Sequence, residues 1–578
     1  MKPQQTVLVF KPSFKKESDR KAQLATIQAS RALSEVIRTT LGPRAMLKMM
    51  LDPMGGIVIT NDGNAILREF SQMAGTYKGV PVTTLCLPGC VAVVRSASID
   101  VSNPAAKSLI ELSRSQDEEV GDGTTSCVIL CGQMLANAEP LLKQEIHPSK
   151  IVEGYMEALE DAIEVLDSIA TRIDLDDEAA LKGAIQSSLE TKFSSKWGDL
   201  IAHLALNAVR KVRTVRPDGR SVIDVKRYAK VEKIPGGLPE DSVVLDGILI
   251  NKDVTHAKMP RRIENPRVLV LDCTLEYKKG ESQTIVDIND EAGWAKLLEQ
   301  EETEVFNMCQ NIIETGCNVV VTEKGVSDLA QHFLSKAGIS CIRRIRKTDA
   351  NRLARVTGAT IVNRTEELLP SDVGKDCGLF EVKKIGDEYY SYFVQCKDPK
   401  ACSIVLRGSS KDVLNEIERN LQDAMNVCRN IMLEGKLLPG GGATEIEVAC
   451  RLAERLDSKA GLKRWSYRAA AKAFEVIPKT LAQNCGANPV RVITELTSLH
   501  TAGNVNAGLD GETGEICDTM KKSIIDTFAV KAQVFKSAIE ATCMLLRIDI
   551  IVSGIGKREE PSVGEKLAVN EDALDSQS

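Results

Sequence analysis

Repeated strand-forming runs are concentrated in the middle of this chain, and that restriction limits what it can fold into. Up to about residue 212 the apolar residues recur with helical spacing, as in Leu33, Val36 and Ile37. From about Ser221 short β-branched runs take over: Val222-Ile223-Asp224-Val225, Val243-Val244-Leu245, Val268-Leu269-Val270-Leu271 and Val319-Val320-Val321. These alternate with helical stretches at 287–315 and 327–336, the pattern of an α/β unit. Val405-Leu406-Arg407-Gly408 leads back to helix, which continues almost to the end. The simplest architecture inserts the α/β portion into a helical domain built from both ends of the chain. Strand-like Thr6–Phe10 and Ile550-Ile551-Val552 would then be neighbours or would pair with another subunit.

One stretch stands out against this frame. Gly121-Asp122-Gly123-Thr124-Thr125-Ser126 joins the charged end Gln116–Val120 to the apolar run Cys127–Leu135. Two glycines let the backbone turn its N–H groups inward, and the run behind starts a helix with a positive end. Backbone donors, hydroxyls and a carboxylate suit a phosphate and its metal ion. An Asp-Gly turn capping a helix accounts for the hexapeptide alone equally well.

Several function classes are excluded by what is missing. The chain has no G-x-x-x-x-G-K-[ST] phosphate loop, kinase set, nucleophile elbow or His-based metal motif. Aromatics are 4% of residues and net charge is -6, which speaks against nucleic acid as a partner. The densest basic piece, Arg343–Lys347, reads as a solvated face. The longest uncharged run, 79–94, holds Pro81 and Pro88 and is too short for a bilayer, so no membrane is expected. Sixteen scattered cysteines without zinc spacing, and an N-terminus without signal-peptide shape, point to free thiols in the cytoplasm. Cys396 and Cys402 are close enough to leave a local redox pair open.

Other Gly-rich turns accompany the loop: Leu41-Gly42-Pro43, Asn61-Asp62-Gly63, read as closing a hairpin, and Gly440-Gly441-Gly442. Phosphoryl transfer uses such parts, with one carboxylate for Mg²⁺ and one to orient water. Leu41-Gly42-Pro43, Asp52-Pro53-Met54-Gly55-Gly56, Thr60-Asn61-Asp62-Gly63, the 121–125 loop and Gly440-Gly441-Gly442 together resemble, in order, the group II chaperonins. Residues 276–283, Lys397-Asp398-Pro399-Lys400 and 418–425 narrow the resemblance to one subunit class of the eukaryotic cytosolic ring.

The resemblance implies a multidomain α and α/β fold. Its parts are a mainly helical equatorial domain (1–174 and 438–560), a hinge-like intermediate domain (175–245 and 400–437) and an inserted apical domain (246–399) with a helical lid protrusion. Residues 561–578 read as a disordered tail. It implies ATP and Mg²⁺ as cofactors, with Asp122 on the metal and Gly123, Thr124, Thr125 and Ser126 around the phosphates. Gly42, Pro43, Gly440 and Gly441 would line the nucleotide, and Asp62 and Asp423 would position water. Thr191 and Lys192 would reach it from the intermediate domain, and Gly511, Asp526 and Lys531 would lie on the adenosine side. Residues 282–301 resemble part of the lid, and 327–334 the substrate-facing helix. Implied partners are sibling subunits in a hetero-oligomeric double ring and unfolded client proteins.

The chain departs from the family pattern in three places. Residues 70–98 interrupt it, Ile550 stands where an aspartate is usual, and Ile525 replaces a Trp and would loosen the adenosine pocket. Two rival readings follow: a form that keeps the fold without activity because of the insertion, and a metabolic enzyme using a nucleotide.

Overall fold

A computed structural model describes residues 15–51, 57–76, 103–175, 177–190, 197–277 and 291–553. The side chains fall into nested hydrophobic cores. The first takes residues between Ile27 and Leu166 and again between Leu438 and Leu546. The second takes Leu181–Ala229 and Cys402–Leu437, and the third lies wholly between Ile248 and Ala401. The chain therefore passes inward through the cores and out again, the insertion that the change of texture requires.

The first core is built around the helix Thr124–Lys143. Its run Cys127-Val128-Ile129-Leu130-Cys131 is apolar on every face, and all five residues are fully buried. A helix apolar all round must be surrounded. Helices Asp19–Arg38, Pro104–Glu119, Pro148–Ile169, Lys463–Phe474 and Phe528–Leu546 enclose it. Asn103 caps Pro104–Glu119 through Ala105 N–H, with proline at the first helical position, as the Asn-Pro pair dictates.

The third core holds two sheets. Ser340–Ile342, Val319–Thr322, Val268–Leu271 and Ile361–Val362 form a parallel sheet in that order. Both faces are covered, hence the unbroken Val/Leu runs. Arg262–Glu264, Leu379–Ile385, Glu388–Val394 and Ile248–Ile250 make the antiparallel sheet. The second core packs Gly198–Val212 and Lys411–Glu434 on the strands Ala229–Pro235, Cys402–Gly408 and Val243–Val244.

Some expectations shift. The hairpin pairs Lys48–Leu51 with Ile57–Thr60, and residues 52–56 between them lie outside the described residues. Asn61-Asp62-Gly63 does not close it. Asp62 accepts from Asn64 N–H at 3.3 Å and Ala65 N–H at 3.0 Å, opening the helix Gly63–Thr76. Ile550–Ser553 pairs with Lys15–Ser18, so the strands near the two ends are neighbours, while Thr6–Phe10 lies outside the described residues. Val225 begins a short helix rather than ending a strand. Cys396 and Cys402 belong to different cores, and both are free thiols. No helix among the described residues is long and apolar enough to cross a membrane.

Candidate functional site

The Gly-rich turns scattered along the sequence converge on one cavity of ≈ 390 Å³. Its walls include Gly42, Pro43, Asp62, Asp122, Gly123, Thr124, Thr125, Ser126, Asp423, Gly441, Gly511, Asp526 and Lys531. Each is held by an element of known origin. The helix Thr124–Lys143, fixed in the first core, presents its N-terminus, whose first N–H groups have no partner within the helix. Gly123 caps it at φ 76°, and a Cβ there would come within 2.8 Å of Val534, so a bare backbone is required. Gly123 N–H donates to Asp122 Oδ1 at 2.7 Å, and Gln116 Nε2 donates to the Asp122 carbonyl at 3.1 Å. Thr124 Oγ1 lies 3.4 Å from Asp62 Oδ1 as its donor, joining the loop to the second carboxylate.

The opposite wall comes from the C-terminal third of the chain. Gly441 has φ 62°, and a Cβ on it would meet the Leu509 carbonyl at 2.5 Å. Lys531 is buried, forms an ion pair with Asp526 at 3.0 Å, and donates to Glu445. Burial pushes the Lys531 amine down, but these two carboxylates outweigh it and hold the group above the usual lysine range. Ile477, Leu481, Leu509, Val530 and Val534 make part of the lining apolar. Apolar patches beside convergent polar groups suit a cofactor-sized ligand.

Sequence reasoning missed several wall residues. Asp117, Glu190, Asp510, Glu512 and Lys522 all face the cavity. Asp510 accepts from Glu512 N–H at 2.9 Å and Lys522 Nζ at 2.7 Å. Burial raises its carboxyl, but Lys522 and the Glu512 amide more than compensate, and it sits below the usual range. Glu190 is pushed up, first by burial and then by Glu512 and Asp510. The run Asp510-Gly511-Glu512-Thr513-Gly514 was a readable signal, since a Gly-bounded carboxylate resembles Asp122.

Other placements differ from expectation. Gly440 stands behind the wall, its N–H bonded to the Ile524 carbonyl at 3.0 Å, and Gly442 lines the cavity instead. Ile524 and Asp526 line the cavity, while Ile525 packs on the second core, as strand alternation demands. Thr191 and Lys192 lie outside the described residues.

Among the described residues no group of three His, Cys, Asp or Glu makes a protein-only metal cage. A hard cation held by one or two carboxylates and completed by phosphate oxygens and water fits this donor set.

Residues 33–73 and 96–555 match the TCP-1/cpn60 chaperonin family. The T-complex protein 1 subunit gamma of Oxytricha granulifera is 55% identical over 571 residues, 98% of this chain and 97% of the relative. The subunit of the same name from Schizosaccharomyces pombe is 52% identical over 557 residues, covering 96% and 100%. That of Drosophila melanogaster is 54% identical over 560 residues, 96% of each. The family match stops at 73 and resumes at 96, so the stretch without counterpart is 74–95, narrower at both ends than 70–98.

Proposed function

From the premise that the chain belongs to the TCP-1/cpn60 chaperonin family, we propose that it is an ATP-driven subunit of a hetero-oligomeric folding ring. In this reading it acts on unfolded cytosolic proteins. The observation that carries the reading is the meeting of four distant Gly-rich turns and the Asp423 helix in one cavity. In this reading the first core is the equatorial, nucleotide-binding domain, the second the hinge, and the third the client-binding domain.

The residues divide the work as follows. The N–H groups at the start of Thr124–Lys143 and the hydroxyls of Thr124, Thr125 and Ser126 receive phosphate oxygens. Asp122 holds Mg²⁺, which supplies charge neutralisation at the transferred phosphoryl group when bound. Asp62 accepts from Asn64 N–H, Ala65 N–H and Thr124 Oγ1, and a carboxylate has about four acceptor positions, so capacity remains for orienting water. Asp423 adds a second orienting carboxylate from the second core, which makes water attack depend on how that core is placed. Gly42, Pro43, Gly441 and Gly511 shape the nucleotide's bed, and Lys531 and Asp526 fix its adenosine side. Thr191 and Lys192 complete the hinge-side contact. Exposed Trp294, Leu298, Phe306 and Leu329 in the third-core helices offer apolar surface to clients.

The test pairs mass with turnover. The full chain incorporates into a large ring by native mass measurement, and Asp122→Ala abolishes Mg²⁺-dependent ATP hydrolysis by its subunit while leaving incorporation intact. A monomer, or normal turnover in the variant, sinks the reading.

A further inference from the structure

Two of the free thiols face each other across antiparallel backbone. The strands Leu379–Ile385 and Glu388–Val394 pair with Leu379 opposite Val394, and two residues further out the same register sets Cys377 opposite Cys396. The backbone keeps that register: Lys397 N–H donates to the Asp376 carbonyl at 3.1 Å, the next opposed pair. Gln395 is kinked at φ 59°, yet the kink shifts no residue. Beyond the kink Cys396 N–H turns outward to the Asp246 carbonyl at 3.1 Å. Directly opposed residues of antiparallel strands hold Cα atoms about 4.5–5.5 Å apart with side chains on one face. A disulfide spans roughly 4.4–6.8 Å between Cα atoms. The Cys377 sulfur reaches across the gap to within 3.6 Å of the Val394 carbonyl.

We propose that Cys377 and Cys396 are an oxidation site, a thiol pair that hydrogen peroxide converts into a cross-strand disulfide. Hydrogen bonding from Cys396 holds the Cys377 sulfur below the usual thiol range against the opposing effect of burial. The same contact, then burial, pushes Cys396 up. Cys377 is thus the attacking sulfur. It takes one peroxide oxygen, the O–O bond breaks, and the departing hydroxide leaves as water with the Cys377 proton. The Cys396 sulfur then attacks the resulting sulfenic acid, the S–S bond forms, the S–O bond breaks, and a second water leaves with the Cys396 proton. Two thiols are oxidised and one peroxide is reduced.

Cys402, nearer in sequence, is excluded by its place. It is fully buried in the second core, and its thiol donates to the Ala208 carbonyl at 3.9 Å. The proposed bond lies beside the neck where the chain passes between the second and third cores. There Cys396 N–H bonds the Asp246 carbonyl, and Ser403 N–H bonds the Gly247 carbonyl at 2.9 Å. The link ties the third-core end of that neck to Cys377 and restrains it. None of this depends on the ATP reading.

The full-length protein is treated with hydrogen peroxide under native conditions, its remaining thiols are blocked, and its peptides are identified by mass spectrometry. The expected product joins the Cys377 and Cys396 peptides, separates with dithiothreitol, and is absent from Cys377→Ser. Amides of residues 395–403 exchange more slowly in the oxidised protein. A Cys396–Cys402 link, sulfinic or sulfonic acid without a link, or two surviving thiols overturns the site. Equal amide exchange overturns the restraint on the neck.

Discussion

Lys531 shows how a residue's chemistry is set by its neighbours. It is buried between Glu445, which is 0% exposed, and Asp526, and Glu445 Oε2 finds no hydrogen-bond partner among the described residues. Lys531→Met keeps most of the volume but strands the Glu445 charge, a loss of about 3–5 kcal/mol when one partner of a buried pair is removed. Urea unfolding measures it, and unchanged stability would count against the pair. Glu447 gives a pH dependence. Burial lifts its carboxyl, but His500 Nδ1 at 2.7 Å and Arg451 Nε at 2.9 Å hold it below the usual range. Its folded value lies below the unfolded one of about 4.3. Its stabilisation is therefore present above that pH and is lost as pH falls through the folded value. Glu447→Gln should lower the unfolding midpoint near neutrality, with the gap to wild type closing below pH ~4.3. A gap that stays constant into acid would rule the linkage out. At this scale the sequence was partly legible. Gly-bounded carboxylates such as Asp62 and Asp122 carry their own signal. Glu190 and Lys522 look like any surface charge, and only φ 62° at Gly441 and 79° at Gly442 separates these two from Gly440.

Elements show what couples the cores. The helix Lys411–Glu434 belongs to the second core, yet one face of it caps the end of Pro104–Glu119 in the first. Arg429 Nη2 donates to the Glu119 carbonyl at 2.6 Å and Asn430 Nδ2 to the Val120 carbonyl at 3.0 Å. Arg429 also donates to Asn430 Oδ1 at 3.1 Å, which aims the Asn430 amide. Helix ends leave carbonyls unpaired, so these side chains complete Pro104–Glu119 from outside. Asn426, one turn earlier, sits over Gly121, where a Cβ would meet its Nδ2 at 2.0 Å. Asp423, three residues before Asn426, therefore enters the cavity at a height set by this contact. Asn430→Ala leaves a buried carbonyl unpaired, a cost of about 1–3 kcal/mol. We expect it to cut ATP turnover while nucleotide affinity holds, and Arg429→Ala to do the same more weakly because its carbonyl is more exposed. Turnover and binding titrations run in parallel distinguish this from general unfolding, which would lower both. The helices themselves were legible from periodicity. Their docking was not, because Arg429 and Asn430 lie in a charged, polar stretch whose partner is some three hundred residues away.

At the scale of the molecule, the nested cores follow from texture alone, since a strand-rich middle between helical ends leaves few other arrangements. The end strands were harder to read, because Lys15–Ser18 is polar and takes its place through Ile550–Ser553. The limits of the extra segment were set too widely for a related reason. Phe70 belongs to the helix Gly63–Thr76 and is buried in the first core at 7% exposure, beside Ile66 and Leu67. Residues 70–73 and 96–98 also match the family, so within 70–98 the unmatched stretch is 74–95. Removing 74–95 takes only the last three residues of the helix Gly63–Thr76 and shortens the chain between it and Pro104–Glu119, and closure entropy changes by only about 0.6 kcal/mol per doubling of loop length. That deletion should unfold in urea at or above the full chain's midpoint and should enter the ring equally well by native mass. Removing 70–98 also takes out Phe70, whose loss from a core costs about 3–5 kcal/mol, and should lower the midpoint and reduce incorporation. Identical behaviour of the two deletions would show that the helix does not depend on Phe70. Failure of the shorter one would show that 74–95 contributes to the fold of this chain.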